Sequence, residues 1–139
     1  MGVIHAELTL MNAGDFSLSL RGIIKPEEIR QVQVKALVDT GCDTLAINEN
    51  IMTQLGLVVV ETFPAELADG QIENVRMSDG VEIRFANRRT MCNAYIMPGN
   101  AEPLLGAIPI EGMDVVIDLN NQKLIVNPEH PYKKCLRLK

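Results

Sequence analysis

Short strand-like runs follow one another along almost the whole chain, and residues that favour turns separate them. The runs cover residues 3–11, 16–24, 32–38, 56–61, 71–77, 81–85, 90–97, 115–118 and 123–126. Turn pairs such as Asp69-Gly70, Asp79-Gly80 and Asn120-Asn121 lie between consecutive runs. Many short strands at close spacing are typical of a sandwich or a barrel, so we predict an all-β fold.

Helical signals are confined to two short segments. Asn48 is placed to cap a helix that Gly56 ends, and the apolar residues at positions 51, 52 and 55 would share one face of it. A second segment, 107–113, can be helical provided that Pro109 lies in its first turn. We therefore expect one or two short helices beside the strands.

The composition indicates one folded domain. Hydrophobic residues make up 47% of the 139 residues and charged residues 22%, which is enough apolar material for a single core. The formal net charge is −5 and the basic residues form no long run, so a nucleic-acid partner is not expected. No apolar stretch reaches the roughly 18 residues of a membrane span, and the first residues do not resemble a signal peptide. We expect a cytoplasmic protein with no membrane partner.

The three cysteines give no sign of a disulfide framework or a zinc site. Cys42, Cys92 and Cys135 lie far apart in the sequence, and their number is odd. This usage fits a reducing compartment.

The stretch 36–47, ALVDTGCDTLAI, places an acid where an apolar strand enters a glycine turn. Taken alone, Asp39-Thr40-Gly41 is a weak signal, because Asp and Thr side chains cap turns and Gly accepts positive φ. The apolar residues on both sides nevertheless predict a partly buried carboxylate, whose charged form is disfavoured unless hydrogen bonds or a partner compensate. Carboxylates in such costly positions are more often functional than those in exposed turns. Asp39 is therefore our candidate catalytic residue.

A second motif, Leu104-Leu105-Gly106, lies far along the chain, just before the second helical segment. The ALVDTG segment, this LLG segment and the Asp69-Gly70 hairpin between them together resemble the single-domain aspartic proteases of the retroviral-protease-like (retropepsin) family. The resemblance spans residues 3–131, and it implies a small closed β-barrel of the acid-protease type. It further implies one domain over residues 1–139, with a flap hairpin at 62–78 and a C-terminal basic strand or tail at 132–139.

The same resemblance implies an aspartic endopeptidase that needs no cofactor. In such an enzyme two carboxylates act on one water: one takes its proton, while the other, protonated, donates to the carbonyl oxygen of the scissile bond. The chain has a single Asp-Thr-Gly, so the second carboxylate must come from another copy of Asp39 in a two-fold symmetric homodimer. Two carboxylates this close cannot both ionise, so the pair would share one proton. The expected substrate is an extended peptide or protein.

Individual roles also follow from the resemblance. Thr40 would send its hydroxyl across the dimer interface, and the backbone of Gly41 would approach both the substrate and the acid. Asp43 stands where the family has a second Asp that contacts the substrate backbone. The flap would act as a lid that excludes water. The remaining residues implied in substrate binding are Leu67, Ala68, Asp69, Gly70, Gln71, Leu105 and Gly106.

Two features depart from the family pattern. Cys42 stands where the family usually has Ala or Ser, and the flap tip is Asp-Gly instead of an apolar glycine-rich run. The second departure leaves open a catalytically inactive member, which would dimerise or bind peptides without cleaving them. The terminal runs 3–8 and 133–138 alternate enough to join a dimer sheet, and the sequence leaves this question open.

Other chemistries have less support. A cysteine nucleophile at position 42 needs a nearby base, and the two histidines, His5 and His130, lie close to the chain ends. A metal held by Asp39 and Asp43 would need further ligands that the sequence does not supply, so no metal site is predicted.

Overall fold

The computed structural model describes residues 3–138, so Met1, Gly2 and Lys139, the outermost residues of the predicted domain and tail, lie outside the described residues. The strands are β1 (His5–Asn12), β2 (Gln31–Val38), β3 (Leu45–Asn48), β4 (Val59–Glu66), β5 (Ile72–Ser78), β6 (Val81–Phe85), β7 (Arg88–Cys92), β8 (Ala94–Met97), β9 (Leu104–Leu105), β10 (Val115–Asp118) and β11 (Lys123–Val126). The helices are α1 (Ala13–Leu20), α2 (Glu49–Leu55) and α3 (Ala107–Met113), with one 3-10 turn at Pro26–Glu28.

Nine of the strands form one mixed sheet in the order β4-β5-β8-β3-β9-β2-β1-β6-β7, and β10 and β11 form a separate hairpin. The predicted β-rich class of fold is confirmed. Closure into a barrel is not confirmed, because the sheet of the described residues has two end strands, β4 and β7. None of the helices within residues 3–138 is long and apolar enough to cross a membrane.

The hydrophobic core lies beneath the middle of this sheet. Leu8 and Leu10 of β1 and Ile83 of β6 are almost completely buried, as the alternation of a half-buried strand requires. Every residue of β3 is buried, so this short strand is covered on both faces. The loop that precedes β3 and the helix α2 that follows it are therefore attached to a fully buried strand.

Both helices predicted from local signals are confirmed. The Asn48 side chain accepts the Ile51 amide at 2.9 Å, and Gly56 ends α2 in the left-handed region at φ +64°. In α3 the proline, Pro109, lies in the first turn, where its missing N–H breaks no helical hydrogen bond.

The strand predicted over residues 16–24 is wrong, because residues 16–20 belong to helix α1 and residues 21–24 form a turn. The side chain of Asn12 caps the helix by accepting the Asp15 amide at 3.0 Å, and an acid in the first turn suits the helix dipole. The alternating apolar residues suggested a buried strand face, yet Leu18 and Leu20 are exposed. The chain consequently has three α-helices among its described residues, where one or two were expected.

The run predicted over residues 90–97 is two strands, β7 and β8, because the chain leaves the sheet at Asn93. The Asn93 side chain donates instead to the Ser78 carbonyl at 2.7 Å. At the C-terminus, residues 127–138 form no strand and lie irregularly against the end of α3.

Candidate active site

The two sequence motifs interlock at the centre of the sheet. The Asp39 loop, residues 39–44, connects β2 to β3, and strand β9 lies between these two strands. Leu105 of β9 pairs in parallel with Val38 of β2 and antiparallel with Leu45 of β3. The Asp39 amide donates to the Leu105 carbonyl at 3.0 Å. The backbone of the candidate acid is thus tied to a strand that is more than sixty positions away in the sequence.

Close backbone packing behind the loop accounts for Gly106. The amides of Ala107 and Ile108 donate to the carbonyls of Cys42 and Asp43 at 2.9 and 2.8 Å. A Cβ atom at position 106 would lie only 2.2 Å from the Thr44 carbonyl oxygen and 2.4 Å from that of Cys42. Only glycine allows the second motif to approach the first this closely.

The carboxylate of Asp39 is held by its own loop. The Gly41 amide donates to its Oδ1 at 3.0 Å, and the Cys42 amide donates to the Asp39 carbonyl at 3.1 Å. The residue is half-buried, whereas Thr40 and Gly41 are exposed. Among residues 3–138, no cationic side chain forms an ion pair with Asp39.

Asp43 contacts Tyr95 of β8, whose hydroxyl donates to its Oδ2 at 3.1 Å. Burial, together with this hydrogen bond, raises the pKa of Tyr95 to about 12, so the phenol keeps its proton at any working pH. The ring of Tyr95 also meets Phe63 of β4 edge to face, with centroids 6.2 Å apart. Tyr95 therefore joins the Asp39 loop to the hairpin β4–β5.

Beneath this hairpin runs a groove of about 380 Å³. Cys42 is one of its lining residues, and most of the others are apolar. The lining residues include Phe63, Ala65, Glu73, Val75, Ile96, Met97 and Leu104. A second groove of about 580 Å³ adjoins Asp39 and Thr40 on the side of the N-terminal segment, and it is lined by Val3, Ile4, Leu37, Val38, Ile117 and Leu119.

The predicted site residues separate into two groups in the structure. Asp39, Thr40, Gly41, Asp43 and the second motif lie together, with Leu105 facing the core and the neighbouring Leu104 facing the groove.

The five predicted residues of the hairpin tip, Leu67 to Gln71, form an exposed turn in which the Gly70 amide donates to the Leu67 carbonyl at 2.9 Å. None of them lines the groove that the described residues form. Their role as a lid stays a prediction.

Several lining residues escaped the sequence interpretation. Phe63 and Glu73 could have been found, because a turn at Asp69-Gly70 fixes which residues of the two hairpin strands face each other. Tyr95 has no local signal, since its contact with Asp43 arises only when β8 pairs with β3.

Cys42 has the properties of a structural thiol. Its sulfur donates to the Thr44 carbonyl at 3.2 Å, and burial raises its pKa, which disfavours the thiolate that a nucleophile requires. Within residues 3–138 no group of three or more His, Cys, Asp or Glu side chains is arranged to hold a metal ion.

Comparisons with known proteins point to one family. A family model described as "gag-polyprotein putative aspartyl protease" matches residues 26–115, which include both the Asp39 loop and the 104–106 motif. No curated protein matches the chain. Among solved structures, the chain is similar to the retroviral protease-like domain of Ddi1 from Leishmania major, with a TM-score of 0.57 and 15% sequence identity. The match covers 92% of this chain and 90% of that one. Because only 15% of the aligned residues are identical, the match shows a similar fold and nothing about function.

Proposed function

Because the chain belongs to this gag-polyprotein aspartyl protease family, we propose that it is an aspartic endopeptidase whose active site forms at a homodimer interface from two copies of Asp39. The two carboxylates would share one proton and bind one water between them. One carboxylate removes a proton from the water as it attacks the scissile carbonyl, and the protonated one donates to the carbonyl oxygen.

The main support for this proposal is the contact between the Asp39-Thr40-Gly41 motif and the Leu104-Leu105-Gly106 motif. Hydrogen bonds from the Gly41 amide to Oδ1 and from the Asp39 amide to the Leu105 carbonyl fix both the side chain and the backbone of the acid. A reaction that depends on one positioned water benefits from a carboxylate that does not have to be ordered first. The loop that carries the acid also borders two grooves: Cys42 lines the one beneath the hairpin, and Asp39 and Thr40 line the other.

The homodimer follows from the need for a second carboxylate. Asp39 lies beside Thr40, which is exposed, and beside the groove lined by Val3, Ile117 and Leu119. A two-fold axis passing next to this loop would bring Asp39 against its own copy. The apolar residues around it would be buried in the same contact.

Replacing Asp39 by Asn tests the proposal. The amide cannot act as a base, so we expect cleavage of an unfolded protein substrate to fall by at least about 1,000-fold, with an unchanged circular dichroism spectrum and sedimentation behaviour. Wild-type activity should be highest in acid, where the pair holds one proton.

Glu27→Gln is a matched control, because it removes one carboxylate from the exposed 3-10 turn, outside the site. It should cleave as wild type does. Undiminished cleavage by the Asp39→Asn protein would overturn the proposal. Peptide binding without turnover at any pH by the wild-type protein would establish the inactive binding module instead.

A further inference from the structure

Where the hairpin β4–β5 covers the groove, Glu73 is the one acidic residue among the described lining residues, and most of the others are apolar. Phe63 pairs with Val75 and Ala65 pairs with Glu73, and because these pairs are two positions apart their side chains share one face. This face covers the groove of about 380 Å³. Ile96, Met97 and Leu104 line the groove on other strands.

Glu73 has no partner that neutralises its charge. Within residues 3–138 its side chain makes no ion pair and no hydrogen bond, and no Lys or Arg lines the groove. Arg76, on the same strand, projects from the other face and pairs with Glu49, with Nη2 and Oε2 3.2 Å apart. Asp43, joined to the groove through Tyr95, adds a second carboxylate without a cation. The groove is therefore negatively charged, as well as apolar.

We infer that this groove selects a substrate residue with a long aliphatic stem and a cationic end, lysine or arginine, and that Glu73 determines this preference. The stem would pack against Phe63, Val75 and Met97 while the charged end reaches Glu73, as long basic side chains do when apolar surface borders a carboxylate. The inference rests on the proposed function, in that it takes the groove as part of the substrate cleft. It adds a substrate class, namely peptides with a basic residue near the scissile bond.

Peptides that differ at one position test the inference. A set of short extended peptides would place lysine, norleucine or glutamate at each position in turn, with every other residue neutral. Norleucine has nearly the length and apolar surface of lysine without its charge, so the comparison of the two isolates the charge. Affinity is measured by fluorescence anisotropy with the Asp39→Asn protein, so that no cleavage interferes.

At one position we expect lysine to bind about five-fold more tightly than norleucine and glutamate to bind more weakly than either, which is the scale of a partly exposed ion pair. Glu73→Gln should bring the lysine-to-norleucine ratio to about one and leave norleucine affinity unchanged. Glu73→Lys should reverse the preference in favour of glutamate. Glu66→Gln is the matched control, because Glu66 pairs with Ile72 on the other face of the same hairpin and its loss should not alter the ratio.

The binding and cleavage measurements separate the two proposals. If the wild-type protein cleaves no peptide but the lysine preference and its dependence on Glu73 are found, the proposed function fails and this inference stands. If the wild-type protein cleaves peptides without a basic preference, or if Glu73→Gln leaves the ratio unchanged, the inference is overturned and the protease function stands. Failure of every peptide to bind would also overturn the inference.

Discussion

At the scale of single residues, the carboxylates of this chain differ in whether a cation neutralises them. Glu82 is completely buried, and its two oxygens receive hydrogen bonds from Arg84 and Arg89 at 2.5 to 2.8 Å. Asp39 and Glu73 have no such partner among the described residues. The Glu82 carboxylate is committed to its arginine partners, whose loss would leave a buried charge uncompensated, whereas a carboxylate without a cation is available for water or substrate.

Asp114 is one of the residues that hold the C-terminal segment in place, together with Asn87 and Arg88. It ends α3 with φ +56°, and its carboxylate accepts hydrogen bonds from Asn127 Nδ2 at 3.0 Å and from the Cys135 amide at 3.1 Å. His130 Nδ1 lies 2.6 Å from the same carboxylate. These contacts, the Asn127 bond first among them, lower the pKa of Asp114 to about 2.

The lowered pKa of Asp114 predicts a specific pH dependence of stability. An unfolded Asp titrates near 3.8, so the stabilisation is complete above about pH 4 and is lost as the pH falls from about 4 to 2. Asp114→Asn removes the charge, and asparagine still accepts the left-handed backbone. We expect its melting temperature to be a few degrees below that of the wild type at pH 7, and to change less between pH 4 and 2.

Thermal melts followed by circular dichroism measure this difference. Glu129→Gln is the control, because Glu129 is exposed in the same segment and its side chain has no partner among the described residues. It should melt as the wild type does at each pH. Parallel pH profiles for Asp114→Asn and the wild type would show that Asp114 does not anchor the segment.

At the scale of secondary-structure elements, a strand of two residues determines the geometry of the site. Strand β9 bonds to β2 on one side and to β3 on the other, and α3 begins directly after it. The chain therefore passes between the two arms of the Asp39 loop and at once turns into a helix. Any outward shift of β9 would move the Asp39 backbone, which donates to the Leu105 carbonyl.

Gly106→Ala tests how tightly this passage is packed. The new Cβ would meet two backbone carbonyl oxygens at 2.2 and 2.4 Å, and backbone cannot give way as a flexible side chain does. We expect the free energy of unfolding, measured by urea denaturation, to fall by about 3 kcal/mol or more.

Gly41→Ala is an informative comparison within the other motif. Its Cβ would meet only Asp39 Oδ1, at 3.1 Å, so stability should change by less than about 1 kcal/mol while the position of the carboxylate, and with it activity, is disturbed. Equal stability of the Gly106→Ala and Gly41→Ala proteins would contradict the close approach of backbone carbonyl oxygens to Gly106.

The sequence predicts those elements whose signals are local. Helix α2 was predictable because a cap, an apolar face and a terminal glycine all lie within nine residues, 48–56. Helix α1 was not, because its residues alternate as in a strand and the deciding contacts include Arg30, whose Nε lies 2.8 Å from Asp15 Oδ2. Asp39 was predictable because apolar residues flank the Asp-Thr-Gly turn on both sides. The groove was not, because it forms only when β8 pairs with β3 and β5, which are distant in the sequence.

At the scale of the whole molecule, the chain presents apolar surface next to its candidate acid. Val3 is 69% exposed and Leu119 65% exposed, and both line the groove beside Asp39 and Thr40. If two copies associate through this surface, the apolar groove is removed from water and the two Asp39 residues approach each other together. Association and catalysis would then be one equilibrium.

This coupling predicts that specific activity rises with protein concentration until the dimer is saturated. Leu119→Lys places a charge in the proposed contact and should weaken self-association, measured by sedimentation velocity, together with specific activity, each by about ten-fold or more. Leu20→Lys is the matched control, since Leu20 is 73% exposed on α1 and does not line the groove, and it should change neither quantity.

Raising the concentration of the Leu119→Lys protein should restore its activity, because the catalytic residues are intact. A protein that sediments as a monomer and cleaves peptides at a concentration-independent specific rate would rule out an active site shared between two chains.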